Sequence, residues 1–180
     1  MIEDLNKIAA YATPVRPGDV EAIEAQLGRR PRGLVGIGAR CACGTPAVTI
    51  TRPRLPEGAP FPTLFYLTLP SVVYEMSRLE AGGFMAEMNA RLAADPLLAE
   101  AHHAAHADYL ERRRRLGDVA EIEDVSVGGM PDRVKCLHAL AAYSMSVGKG
   151  ICPIGDLALE AAAWDRAICN CRDASERQAK

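Results

Sequence analysis

Two hydrophobic periods succeed one another along the chain. In PAVTITRPR, residues 46–54, Val48 and Ile50 alternate with Thr49 and Thr51, which predicts a strand with one face inward. RGLVGIGARCACG, residues 32–44, is a glycine-interrupted run of β type, and the turn chemistry of CGTP joins the two as a hairpin. TLFYLTL, residues 63–69, reads as a third strand by its β-branched and aromatic content. Between them, RPRLPEGAPFP is a proline-rich connection, and LPEGAPFPTLFYL, residues 55–67, is stiff enough to form a wall beside a site.

The later part of the chain is helical. Asp19 is placed to cap a short helix, VEAIEAQLG, that stops at Gly28. PSVVYEMSRLEAGG, FMAEMNARLAADP, PLLAEAHHAAHADYLERRRRL and PIGDLALEAAAWDRA follow, several opened by proline and closed by glycine. GGMPDRVKCLHALAAYSMSVG, residues 128–148, reads as a helix starting at Pro131, with Val134, Leu137, Ala141 and Met145 as its apolar stripe. Acidic GDVAEIEDVSVGGM reads as a loop or short edge strand. Strands early and helices late predict an α+β fold: a small, mostly antiparallel sheet in the N-terminal half covered by four or five helices. One domain over 18–172 is expected, with a flexible lead-in at 1–17 and a frayed tail at 173–180.

Composition narrows the class. The chain has 180 residues, room for one domain with a core. Aromatics are only 5%, which favours close helix packing over an aromatic-lined cavity. A formal net charge of −2 argues against a broad nucleic-acid footprint, and LERRRRL reads as a solvated helix end complementing the dipole. No run approaches the ~20 apolar residues of a membrane span. The first residues carry acids and no long apolar core, unlike a signal peptide, so the expected compartment is the cytoplasm. There the six cysteines are expected as thiols or metal ligands.

Three groups of residues carry candidate chemistry. The first is GGMPDRVKCLH. Gly128 and Gly129 permit unusual backbone angles, and a helix N-terminus reinforced by Arg133 and Lys135 suits a phosphate or carboxylate. Cys136 near that end has the setting of an activated thiol, with His138 or His106 as acid–base partners. In regular helix, residues two apart point nearly opposite ways, so Cys136 and His138 are not expected to share a metal. Simple packing of a small apolar cysteine is the competing reading.

The second group is two C-x-C pairs, Cys41 with Cys43 and Cys169 with Cys171. If the two segments meet, four thiolates make a closed zinc site or hold an iron–sulfur cluster. The third is AHHAAHADY. His102 and His106 share a helix face, but no H-E-x-x-H pattern is present, so a metalloprotease is excluded. A solvent-facing His102 or His103, with His106 hydrogen-bonded at a packed face, is expected there.

RCACGTP, RLPEGAPFPTLFYLT, SRLEAGG, GGMPDRVKCLHAL and PIGD, in this order over roughly residues 20–160, resemble the bacterial domain-of-unknown-function family 501. The resemblance marks Arg40, Cys41, Pro60, Phe61, Pro62, Thr63, Arg78, Glu80, His106, Pro131, Asp132, Arg133, Lys135, Cys136, His138, Gly155 and Asp156 as the positions to examine. Cys169 and Cys171 lie outside it. It also implies gene neighbours concerned with division and phosphate chemistry, an association rather than a mechanism.

Three functions follow as expectations. One is a small-molecule anion site at 128–138 beside Cys41. Another is a metal-stabilised, non-catalytic binding module. The third is a division-linked interaction protein. No motif selects a reaction, so the residues leave enzyme and binding module both open.

Overall fold

The computed structural model describes residues 4–169 and 171. The expected frayed tail, 173–180, lies outside the described residues. Three strands and seven helices are present among those described. β1 (Leu34–Arg40) and β2 (Pro46–Thr51) form the expected antiparallel hairpin, with Gly36 opposite Ile50 and Ala39 opposite Val48. β3 (Phe65–Leu67) pairs antiparallel with the other edge of β2, Ile50 opposite Phe65. The sheet order is β1-β2-β3.

All six residues of β2 are buried. The alternation read from the sequence had predicted one buried face. Thr49 and Thr51 are nonetheless covered, because α2 (Asp19–Leu27) packs on β2 from its own side. Asp19 does not cap that helix. Gly18 holds the cap position, and the Asp19 carboxylate instead accepts from Arg40 at 2.8 and 2.7 Å and from the Arg16 N–H.

The helices are α1 (Leu5–Ile8), α3 (Pro70–Ala81), α4 (Phe84–Ala94), α5 (Pro96–Arg114), α6 (Leu137–Val147) and α7 (Pro153–Ala161). The segment expected as a flexible lead-in contributes Ile8, Ala9 and Ala12 to the core, and Thr13 bridges Ile37 on β1. α6 is the central helix, with nine of its eleven residues buried. It lies against all three strands, and α7 and α3 pack on its flanks. Close approach is possible because glycine sits at two crossings. A Cβ on Gly38 would stand 2.6 Å from Ser146 Oγ, and one on Gly155 would stand 2.2 Å from the Leu140 carbonyl oxygen. Phe65, Tyr109 and Tyr143 stack edge and face beneath the sheet.

The basic run ending α5 is solvated only in part: Arg114 and Arg115 are exposed, Arg112 and Arg113 are not. Arg113 is buried and donates to the carbonyls of Pro62, Val125 and Ile122, while Arg112 pairs with Asp108. The guanidinium bonds carbonyls outside its own helix, and so ties α5 to the proline-rich connection and to the segment 122–125.

The segment 128–136 departs most from expectation. Pro131, preceded by a cis peptide bond, does not open a helix. The chain turns on itself: the Arg133 N–H donates to the Gly129 carbonyl, and the Lys135 N–H to the Gly128 carbonyl. Asn89 on α4 pairs with both backbone groups of Val134 at 2.9 Å, standing in for helix bonds. Helix α6 begins only at Leu137, with Cys136 extended at φ −151° and ψ 112°.

Candidate functional site

The late helix start changes the geometry at Cys136 and His138. Residue 136 is extended and residue 138 lies in the first helical turn, so the opposed directions expected of a regular helix do not apply. Cys136 Sγ and His138 Nδ1 approach to 4.0 Å. Glu80 from the end of α3 completes the group: its Oε1 stands 3.1 Å from His138 Nδ1 and accepts the Leu137 N–H at 2.7 Å. On the far side of the ring, Nε2 faces the Val73 carbonyl at 3.2 Å and Ser77 Oγ at 3.1 Å. The Cys136 sulfur and the Glu80 charge outweigh burial and lift the His138 pKa to about 9.

Cys136 and His138 line an open groove of about 720 Å³. Its walls come from Leu27, Phe65, Leu67, Thr68, Pro70 and Tyr74; of the stretch expected as a wall only Thr63, Phe65, Tyr66 and Leu67 take part, and none of its prolines does. The volume falls in the range of small-molecule clefts.

The expected anion seat is arranged differently. Arg133 and Lys135 are exposed and lie ahead of the helix, in the loop, and their backbone N–H groups already serve Gly129 and Gly128. The first N–H of α6 is taken by Glu80, the protein's own anion. Cys41 and His106 do not line the groove. His106 Nδ1 meets Ser126 Oγ at 2.8 Å, and desolvation leads the causes that lower its pKa. His102 is not solvent-facing. It is fully buried, with Nε2 3.3 Å from the Arg133 carbonyl, while His103 is exposed near Asp132.

A second cluster lies at the β1–β2 turn. Cys41, Cys43, Cys169 and Cys171 each offer a sulfur, and all four sulfurs lie within 4.8 Å of one another. Cys43 and Cys171 are 3.5 Å apart. The hairpin presents the first pair because Cys41 N–H and Gly44 N–H close a tight turn. Cys41 is buried, Cys43 and Cys169 are exposed, and Cys171 is half-buried. Hydrogen bonds from Thr45 hold the Cys43 pKa down to about 6. Burial and the neighbouring sulfurs raise Cys171. At Cys169 the Cys171 backbone favours the thiolate, yet Cys43, desolvation and Cys41 together push the thiol up. One thiolate forms readily, and its neighbours resist ionising beside it.

Cys152 takes no part in either cluster. It is buried, its thiol donates to the Leu140 carbonyl, and burial raises its pKa to about 12. Gly155 and Asp156 are packing residues: the glycine admits the Leu140 carbonyl, and the aspartate accepts from Ser144 Oγ and the Gly150 N–H. Glu80 is marked by the family resemblance alone, and no local pattern joins it to Cys136 and His138, because it sits on another helix, 57 residues from the backbone group it caps.

A family model described as protein of unknown function (DUF501) matches residues 37–160. No curated protein and no solved structure matches the chain. The matched stretch contains Cys41, Cys43, Glu80, Cys136 and His138 but ends before Cys169 and Cys171.

Proposed function

The chain belongs to the DUF501 family of unknown function, and from that footing we propose that it is a metal-stabilised binding module. Cys41, Cys43, Cys169 and Cys171 hold one zinc ion. Cys169 and Cys171 are thereby tied to the β1–β2 turn, and the groove along β3, α3 and α6 takes the ligand.

A single observation carries this reading: four sulfurs from two distant segments share a space 4.8 Å across. A tetrahedral ion with zinc–sulfur bonds of about 2.3 Å would place its thiolates roughly 3.8 Å apart. A multi-iron cluster sits inside its cysteines and spreads them further, so the spacing favours a mononuclear ion over iron–sulfur. Four protein ligands would also leave no open position, the hallmark of a structural site. The ion would supply charge compensation for thiolates that otherwise raise one another's pKa, and a cross-link closing a long loop.

The test is metal and acid-labile sulfide content of untagged protein, with thiols counted before and after denaturation. Zinc without sulfide, and four thiols masked until denaturation, is the expected result. Iron with sulfide would replace the zinc assignment. Metal-free protein whose cysteine pairs react freely would overturn the reading.

A further inference from the structure

The second cluster has a different character. We propose that Glu80, Cys136 and His138 bind a second divalent transition-metal ion, zinc as first choice, in an open three-ligand site on the wall of the groove. The metal then receives the anionic head of an amphipathic ligand whose apolar part lies along Leu27, Phe65, Leu67 and Pro70.

The donor atoms are already gathered. One ligand atom from each of the three residues lies within 4.8 Å of the other two. The sulfur–nitrogen separation of 4.0 Å is close to the roughly 3.6 Å that a tetrahedral zinc with ordinary bond lengths requires. A small rotation of Cys136 suffices, and its backbone is extended rather than locked in helix.

The surroundings orient the ring for the task. The Val73 carbonyl can only accept, so the His138 Nε2 facing it at 3.2 Å keeps its proton. Metal binding displaces the Nδ1 proton, and the freed lone pair is directed at the side where Cys136 and Glu80 stand. A ring N–H held by a backbone carbonyl is the usual outer support of a metal-ligating histidine. Ser77, which donates to the same carbonyl at 3.0 Å, stands 3.1 Å from Nε2 and steadies the arrangement. Glu80 uses Oε1 to accept the Leu137 N–H, and a carboxylate with about four lone-pair sites retains capacity for an ion.

Charge and access distinguish this site from the four-cysteine centre. A thiolate, a carboxylate and a neutral imidazole balance a divalent cation. Three protein ligands leave a coordination position free, as in sites that exchange water for a ligand. Cys136 and His138 both line the groove, so that position has a cavity to open into. The surrounding apolar walls would bind the body of a ligand, while the metal would fix a carboxylate, thiolate or similar head.

This inference does not depend on the four-cysteine centre, and one experiment separates them. Full-length protein is stripped with a chelator and titrated with Co²⁺, reading the thiolate-to-cobalt charge-transfer and ligand-field bands. Wild type is expected to take two ions. Cys43→Ser is expected to keep the Cys136 site and lose the other, and His138→Ala the reverse. Loss of a direct ligand should weaken the affected ion at least as much as the about 10–100-fold seen for supporting residues. Equal binding by wild type and His138→Ala would overturn the second site. Should His138→Ala fail to fold, wild type alone decides the matter through alkylation of Cys136 followed by peptide mass analysis. Cobalt should slow that alkylation at least about tenfold, consistent with the loss expected for a ligand. An unchanged rate would overturn the proposal. Octanoate hydroxamate then probes the groove: it should perturb the cobalt bands of Cys43→Ser, and unchanged bands would remove the assigned ligand chemistry.

Discussion

The Glu80 carboxylate on α3 accepts the backbone N–H of Leu137 at 2.7 Å and so supplies the first turn of α6 with its anion from another helix. α6 is the central helix of the fold, and Leu137 is fully buried. A donor that loses such a partner pays its full desolvation cost. Glu80→Ala is therefore expected to lower stability by about 1–2 kcal/mol, while Glu80→Gln, which keeps an acceptor, should cost less. Urea unfolding of the two variants in chelator checks the order. Equal losses would mean that charge rather than the cap dominates.

The Asp19–Arg40 pair lies at the edge of the sheet with little exposure on either side chain. Arg40 also reaches Thr13, Pro14 and Gly44, so it joins the N-terminal segment, α2 and the hairpin turn. Arg40→Ala strands a buried carboxylate and is expected to cost roughly 3 kcal/mol. Chemical denaturation at neutral pH measures it.

Acid should reveal the same pair. The Arg40 hydrogen bond leads the causes that hold the Asp19 pKa below its ordinary value. A folded-state pKa below the unfolded one means the unfolded chain binds the proton first. The stabilisation is complete above the unfolded value of about 3.9 and is lost as pH falls through the depressed folded value. Asp19→Asn should therefore narrow its stability gap to wild type as pH drops below about 4. A gap constant from pH 6 to pH 3 would show that Asp19 is not linked to acid unfolding.

Gly155 is expected to tolerate no side chain. A Cβ there would lie 2.2 Å from the Leu140 carbonyl oxygen and 2.9 Å from Ser144 Cβ, both on α6. Helix separation must grow, so Gly155→Ala should cost about 1–3 kcal/mol despite alanine's better helix propensity. A lower Tm in thermal unfolding confirms this, and a raised Tm would show that the crossing is looser than described.

The sequence was legible where local signals and tertiary demands agree. The hairpin around CGTP, α3 opened by Pro70 and α7 opened by Pro153 all fall where turn and cap residues place them. Pro131 carries the same signature and fails. The positive φ angles of Gly128 and Gly129 fold the chain back, and Asn89, 45 residues away, supplies Val134 with its hydrogen bonds. No local pattern encodes that substitution. The same displacement brought Cys136 to His138, an approach that helical geometry forbade. Arg113 looked solvated for a related reason: its partners, the carbonyls of residues 62, 122 and 125, exist only once the loops have packed. The two C-x-C pairs were visible as chemistry. Their meeting, across 128 residues from Cys43 to Cys171, was not.

The most direct measurement is the zinc content of the Cys169→Ser/Cys171→Ser chain beside wild type, after both are dialysed against a weak chelator. These two residues lie outside the stretch that matches the family, and Cys169 is exposed, so the core should survive the change. The double variant is expected to hold one zinc fewer per chain, with Cys43 newly open to alkylation and Cys136 unaffected. Equal zinc content and an unchanged Cys43 in the two proteins would contradict the four-thiolate centre.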